Sequence, residues 1–155
     1  MKGYKRMISI LVLVSALTAC ASIPNFVDVN DRDWCLVEVR SGQQHIIIDR
    51  SKSEEEGFGD IFTIHFDEVQ KQISGVGAPN RYFARYSLEG KQDMTISAIA
   101  ATLMATLFEP ENFKEHEFFA YLHNVNKWNL VGENLELYSK GEDGSETVLI
   151  FVLAE

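Results

Sequence analysis

After residue 33 the chain consists mostly of short runs in which apolar residues fall at every second position. The run 62–66 has this spacing, and so do the pairs Trp128 with Leu130 and Leu135 with Leu137. Successive side chains of a strand point to opposite faces, so this alternation predicts strands with one buried face. Gly, Asn and Asp separate the runs, as in an antiparallel sheet with short turns. The predicted strands are 34–39, 45–48, 62–66, 69–74, 81–87, 94–99, 127–131, 134–139 and 148–153.

Two features refine this strand prediction. Residues 147–153 are apolar on both faces, which is typical of a central strand. Asp143-Gly144 lies between two runs and predicts a hairpin, because such turns need a positive φ.

The charged segment 49–60 is predicted to be a solvated connection, with an interaction loop as the alternative.

One segment follows a helical period instead. Within 110–125, Phe118, Leu122 and Val125 have the spacing i, i+4, i+7. Pro110 and several acids lie near its start, where a helix favours proline and negative charge. The sequence therefore predicts one main helix over 110–125.

These elements define the expected fold class. A chain of 155 residues that is 46% apolar can bury one core but not two sizeable ones. We predict an α+β domain over residues 33–155: a strongly curled antiparallel sheet or partial barrel, with the one main helix packed against it.

The N-terminal segment has a different character. Residues 1–6 carry three cations and no acid, and an apolar stretch of ten residues follows at 8–17, too short to span a bilayer. The sequence Leu17-Thr18-Ala19-Cys20 resembles the bacterial lipobox. We predict a lipoprotein signal peptide over 1–19, lipidation of Cys20 and a tether over 20–32. Since Ala21 rather than Asp follows the cysteine, the expected location is the outer membrane, facing the periplasm.

Charge and cysteine content limit the partners. The formal charge is −9, and it becomes −12 once residues 1–19 are removed. No cluster of cations is present in sequence, which argues against a nucleic-acid partner and leaves acyl chains to attach the protein to the membrane. A periplasmic protein or cationic partner suits this charge better than an anionic ligand. Cys35 is predicted to be a buried apolar residue, with a redox role as the alternative.

Catalytic and cofactor motifs are absent from the sequence. His116-Glu117-Phe118-Phe119-Ala120 has Ala120 where the zinc-binding pattern HExxH has its second histidine. His123 lies two helical turns from His116, about 10 Å along the axis, too far to share one ion. No serine has the G-x-S-x-G frame, and Gly75-Val76-Gly77 opens no helix. We predict no enzyme, catalytic set, metal or cofactor.

A longer pattern resembles a known family. The segment 73–86 is similar to the signature of the META domain, found in HslJ-like bacterial lipoproteins, and the likeness continues through 94–106 and 132–137. This resemblance implies a curled antiparallel sheet and an envelope role in stress tolerance, without an established reaction. Family members often have cysteines where this chain has Pro79 and Thr106. The resemblance thus implies that packing alone holds the Asn80 loop to Met104. Gly75, Gly77, Asn80 and Arg81 form either a possible recognition loop or a flexible turn.

Three functional hypotheses follow. The leading one is a membrane-anchored, non-enzymatic binding or scaffolding module that supports the envelope under stress. The second is a small-barrel carrier of an apolar ligand, suggested by ten Phe, five Tyr and two Trp. The third is a hydrolase with an unrecognised site. A packed interior would remove the carrier hypothesis, and the side chains that decide this are Phe62, Ile64, Phe66, Trp128 and Leu135.

Overall fold

The structure, a computed structural model, describes residues 25–57, 59–105 and 109–154. Eight of its strands close into an antiparallel barrel, in the order β10-β9-β8-β6-β5-β4-β3-β1, and β1 pairs again with β10. β2 extends the sheet beside β1, and β7 beside β5. The strands are β1 Asp33–Ser41, β2 Gln44–Ile47, β3 Thr63–Asp67, β4 Gln72–Val76, β5 Arg81–Glu89, β6 Asp93–Ile96, β7 Ala100–Ala101, β8 Val125–Val131, β9 Asn134–Lys140 and β10 Glu146–Leu153.

The predicted fold class is confirmed, and closure completes the predicted partial barrel. Alternation places one face of each strand inside, as in β5, where Tyr82, Ala84 and Tyr86 are buried and the residues between them are exposed. β10 lies between β1 and β9, which confirms the predicted central strand. The hairpin before it turns at Gly144, whose φ is +83°.

Two strand predictions need correction. The strand predicted over 69–74 begins only at Gln72, because residues 68–71 form a turn in which Asp67 Oδ1 accepts the N–H of Gln70 at 2.8 Å. Val69, at its tip, is 95% exposed. The run 94–99 does not continue as one strand either: β6 ends at Ile96 and the chain pairs again only at β7.

The main helix is shorter than predicted. Helix α2 is Glu115–His123, and Phe118 and Leu122 are buried while Val125 already belongs to β8. Pro110 precedes the helix. The Glu117 carboxylate accepts the N–H of Lys114 at 2.8 Å, so the first turn is capped there rather than at the proline.

The barrel interior is filled by the chain's own side chains. Aromatic and branched aliphatic residues from every strand of the closed ring form one buried cluster. Phe118 of α2 packs on Phe62 and Tyr82 with ring centroids 5.2 and 5.8 Å apart, and so covers one end of the barrel. The five side chains that decide between a core and a cavity, Phe62, Ile64, Phe66, Trp128 and Leu135, are each at most 2% exposed.

A short segment closes the other end of the barrel. The 3-10 helix Phe26–Asp28 inserts Phe26 between Phe66 and Trp128, with ring centroids 5.3 and 4.8 Å away. The indole N–H of Trp34 donates to the Val29 carbonyl at 3.0 Å. Residues 25–30 are therefore part of the fold, so any tether ends before Asn25 and the prediction over 20–32 is wrong for that part. The signal peptide and Cys20 lie outside the described residues.

The charged segment after β2 is more ordered than predicted. It contains a short helix, α1 Ser51–Glu55, in which Ser53 is fully buried and donates to the Arg50 carbonyl at 2.9 Å. Arg50 in turn donates to the Leu36 carbonyl on β1. The segment therefore packs against the outside of β1 and is not simply a solvated connection.

Candidate functional site

The loop between β4 and β5 is held by one carboxylate of helix α2. Glu115 Oε1 accepts the N–H groups of Ala78 at 2.5 Å and of Asn80 at 2.7 Å, and Oε2 accepts the Asn80 side-chain amide at 2.6 Å. We call this arrangement, formed by Asn80 and Glu115 with the loop 77–80, the polar lock. Hydrogen bonds to a charged acceptor are among the stronger ones in proteins, so the lock ties the loop firmly to the helix.

Asn80 also connects this loop to the segment after β7. Its side-chain oxygen accepts the N–H of Met104 at 2.7 Å and the hydroxyl of Thr102 at 2.9 Å. Its amide group lies 3.4 Å from the Met104 carbonyl oxygen. The expectation that packing alone holds Asn80 to Met104 is therefore wrong, because the buried Asn80 side chain makes this connection by accepting hydrogen bonds from Met104 and Thr102.

The two glycines of the predicted recognition loop have structural explanations. A Cβ on Gly77 would clash with the Glu115 carboxylate, and a Cβ on Gly75 would clash with the Thr63 carbonyl oxygen. Both positions require the close backbone approach that only glycine permits. Gly75, Gly77 and Asn80 thus build the polar lock and its surroundings, whereas Arg81 alone of the four predicted residues is exposed.

Outside the barrel, Arg81 borders a groove of about 480 Å³ that crosses strands β3, β4 and β5. One row of cross-strand neighbours runs along its floor: Asp33 pairs with His65, His65 with Ser74, and Ser74 with Phe83. Neighbours in such a row have Cβ atoms about 5 Å apart on the same face of the sheet. His65 Nδ1 lies 3.0 Å from Asp33 Oδ1.

The order serine, histidine, aspartate in this row matches the groups of a nucleophilic triad, but the geometry is unsuited to one. Among the described residues, Ser74 makes no hydrogen bond to His65, and the Asp33 carboxylate is 74% exposed rather than buried. The N–H groups of β4 belong to ladders with β3 and β5, which leaves no pair of donors for an oxyanion. We interpret this row as a polar binding surface.

The remaining reactive side chains in the described part of the chain lie apart from one another. His116 and His123 are exposed on α2, and no three metal-ligating side chains come together within the described ranges. Cys35 is buried, and burial raises the pKa of its thiol to about 11. This direction opposes the thiolate that redox chemistry needs, in agreement with the predicted apolar role.

Sequence reasoning missed Glu115 as the partner of Asn80. The two residues are 35 positions apart, and an acid at the start of a helix has a sufficient local explanation in the helix dipole. It also missed the row from Asp33 to Phe83, which depends on strand register. Alternation within 62–66 implies an outward side chain for His65 alone, and only the pairing of four strands makes the members of the row neighbours.

These features define the protein as a small single-domain antiparallel barrel. Its interior is filled by its own side chains, and one helix is hydrogen-bonded across its end. The chain belongs to the META domain family: residues 27–154 match the family's model, which confirms the resemblance seen in sequence. The match begins within the 3-10 helix at the barrel end, and therefore includes part of the segment that closes it.

Solved structures share this fold at low identity. An NMR structure of a protein from Burkholderia xenovorans has a TM-score of 0.60 and 17% identity, with 90% of this chain and 97% of that chain covered. A crystal structure of a DUF4847 family protein from Bacteroides vulgatus has a TM-score of 0.56 and 14% identity, with 82% and 95% covered. No curated protein matches the sequence. No helix in the described part of the chain is both long enough and apolar enough to cross a bilayer.

Proposed function

We propose that this protein is a lipid-anchored, non-enzymatic binding or scaffolding module of the bacterial cell envelope, located at the outer membrane and facing the periplasm. The observation that carries the proposal is the filled barrel: its interior is packed with side chains, and the polar groups at its end bond to one another. Recognition is therefore left to the outer surface.

The filled interior argues against the carrier alternative. Small barrels that carry apolar ligands keep a cavity of roughly 300 Å³ or more, whereas Phe62, Phe66 and Trp128 here belong to one continuous buried cluster. The groove lined by His65 and Ser74 lies on the outside of the sheet. This leaves a surface-binding module as the better supported function.

The position of the N-terminal segment supports an oriented attachment. Phe26 seals the barrel end opposite the polar lock, so a chain that reaches back to an acylated Cys20 leaves from that end. On β5, Arg81 beside the lock and Tyr86 beside Phe26 are five residues apart, about 17 Å along a strand. The polar lock and helix α2 would then face away from the membrane.

The anchor is tested by labelling with a radioactive fatty acid. We expect label and membrane association in the unaltered chain and neither in Cys20→Ala. Cys35→Ala is the matched control, since it removes the other thiol and should keep the label. A Cys20→Ala protein that stayed labelled and membrane-bound would refute the anchor.

The envelope role is tested separately in the host. A strain that lacks the protein should grow normally without stress and lose viability under heat or envelope-damaging treatment. The unaltered gene should restore viability, and the Cys20→Ala variant should not.

The non-enzymatic assignment is tested with the purified protein and a panel of ester, peptide and glycan substrates. Turnover of one of them, abolished by one substitution such as Ser74→Ala, would contradict the assignment.

A further inference from the structure

The outer face of β5 carries two arginines that form no salt bridge with any described residue, although the chain has 23 acids and only 14 basic residues. Arg81, Phe83 and Arg85 alternate with the buried residues of the strand and share its outer face. We call these three residues the arginine stripe. Within the described residues, neither Arg81 nor Arg85 forms a salt bridge, whereas Arg40 pairs with Glu38 at 2.7 Å.

Among the described residues that line the grooves beside the arginine stripe, Asp33 carries the one carboxylate, and its Oδ1 lies 3.0 Å from His65 Nδ1. On β4, Val76 lies opposite Arg81 and Gln72 opposite Arg85. On the other side, Thr102 and Ser97 bond to the β5 backbone beside the two arginines. Arg85 Nη1 donates to the Gln70 carbonyl oxygen at 3.4 Å. Because the cross-strand neighbours on β4 are neutral, the remaining N–H donors of the two guanidinium groups are available to an external anion.

Two grooves lie along the arginine stripe. The first contains Arg81 and Phe83, the second contains Arg85, and each holds about 480 Å³. Phe83 lies between the two arginines and is 53% exposed, a large apolar contact surface for a strand residue. The lining of the two grooves also includes hydroxyl and amide side chains, such as those of Gln72, Ser74 and Thr95, which can bond to a peptide backbone.

The distance between the two arginines determines which shape of anion would fit them. Arg81 and Arg85 are four residues apart in one strand, about 14 Å between Cα atoms, and an extended peptide repeats that distance between its own residues i and i+4. Side chains at i, i+2 and i+4 of such a peptide share one face. A carboxylate at each end and an apolar residue between them would therefore match the arginine stripe.

We propose that the arginine stripe binds an extended acidic segment of a partner protein, with two carboxylates four residues apart and an apolar side chain midway. The inference rests on the proposed function as a binding module and names its binding surface and its partner chemistry. The acidic partner departs from the expectation drawn from net charge, because a chain of net charge −9 presents a locally cationic surface on β5.

The test uses the full chain in detergent micelles and dye-labelled seven-residue peptides. The probe peptide has Glu at positions two and six, Leu at position four and Ser elsewhere. Fluorescence anisotropy should show saturable binding that weakens with salt, as expected for exposed charge pairs. Replacing both Glu by Gln, or Leu by Ser, should weaken it.

Protein variants identify the surface. The double variant Arg81→Gln/Arg85→Gln should lose about tenfold or more in affinity, since two charge-assisted contacts disappear. Arg32→Gln/Lys91→Gln changes the net charge equally at exposed sites elsewhere and should stay within about twofold. Far-UV circular dichroism and the melting temperature establish that every variant is folded.

A charge exchange completes the design. Arg81→Glu/Arg85→Glu should lose the acidic probe and bind a peptide with Lys at positions two and six. Absence of saturable binding to the unaltered chain, or equal loss in the control variant, overturns the proposal. So does binding of an oligogalacturonate at the arginine stripe without binding of the peptide. None of these readouts involves Cys20 or stress survival, so this proposal can fail while the anchored module stands.

Discussion

The two ends of the barrel are closed by different kinds of interaction. At one end, the Glu115 carboxylate and the Asn80 amide form a hydrogen-bonded polar lock across the mouth. At the other end, the Phe26 ring packs edge-on against Phe66 and Trp128. A hydrogen-bonded closure depends on particular atoms, whereas an aromatic closure depends on volume and area. The two ends should therefore respond differently to the same kind of substitution.

The largest effect is expected at the polar lock. Glu115→Ala removes the acceptor of three N–H donors from Ala78 and Asn80. Leaving partly buried donors unsatisfied should reduce the free energy of unfolding by about 4 kcal/mol. Urea unfolding followed by tryptophan fluorescence measures this. Glu111→Ala, on an exposed acid of the same segment, should change it by less than about 0.5 kcal/mol.

Glu115→Gln sharpens this prediction because it keeps one oxygen acceptor and the side-chain volume. Its stability should lie between those of the unaltered chain and Glu115→Ala, since its amide group faces the Asn80 amide as a second donor. If Glu115→Ala unfolded at the same urea concentration as Glu111→Ala, the lock would not contribute to stability and the contrast between the two ends would disappear.

The aromatic end should show the second largest effect. Phe26→Ala removes a ring that contacts Phe66, Tyr86 and Trp128, and should cost about 3 kcal/mol. Phe26→Leu should recover most of this loss because volume and apolar area matter more than particular atoms. Val27→Ala, at a neighbour that is 60% exposed, is the control. Equal losses in the Leu and Ala variants would show that ring geometry rather than volume closes this end.

Double-mutant cycles test whether the two ends are independent. Asn80→Ala and Glu115→Ala share partners, so their combined loss should fall short of the sum by about 1–2 kcal/mol. Phe26→Ala and Glu115→Ala share none of their contacts and should add within about 0.5 kcal/mol. A large coupling across the barrel, measured by the same urea unfolding, would mean that the ends close as one unit.

The contrast between the polar and the aromatic end also explains which parts of the structure could be predicted from the sequence. The aromatic and aliphatic core follows from alternation, because burial of one strand face is a local property; Ile64 and Phe66 were placed correctly for this reason. Contacts fixed by side-chain geometry over long separations could not be read in this way. The Asn80–Glu115 bond joins a loop to the first residue of helix α2, 35 positions away, and no periodicity encodes it.

The predicted boundaries of the helix and of the tether were wrong for a related reason. Pro110 and the acids after it are typical of a helix start, but the capping bond between Glu117 and Lys114 begins α2 five residues later. Phe26 lies in a short segment without a repeating pattern, so only the three-dimensional barrel shows that its mouth needs an apolar residue there. Periodic burial is predictable from one sequence, whereas single contacts between separate segments are not.

The smallest change in the free energy of unfolding is expected for a carboxylate on the surface. It serves as a reference for the carboxylate in the polar lock. Glu38 on β1 accepts hydrogen bonds from Arg40 at 2.7 and 2.8 Å and lies 2.9 Å from His45 Nδ1. The Arg40 hydrogen bond, together with that of His45, lowers the pKa of Glu38 to about 2. Because the pKa is lower in the folded state, this pair stabilises the fold above the ordinary carboxyl value of 4.5, and the gain is lost as pH falls toward 2.

Because Arg40 is 46% exposed, solvent screening keeps the contribution of the pair to the free energy of unfolding small. Glu38→Gln should therefore be slightly less stable than the unaltered chain at pH 7, and the two urea midpoints should converge between pH 4.5 and 2. Adding 0.5 M NaCl at pH 7 should narrow the difference as well, since exposed charges are screened over roughly 10 Å or less. A difference that widens on acidification would contradict the assigned direction. A loss at pH 7 as large as that of Glu115→Ala would show that surface and lock carboxylates contribute alike, and that the site of a carboxylate in this barrel does not determine its effect on stability.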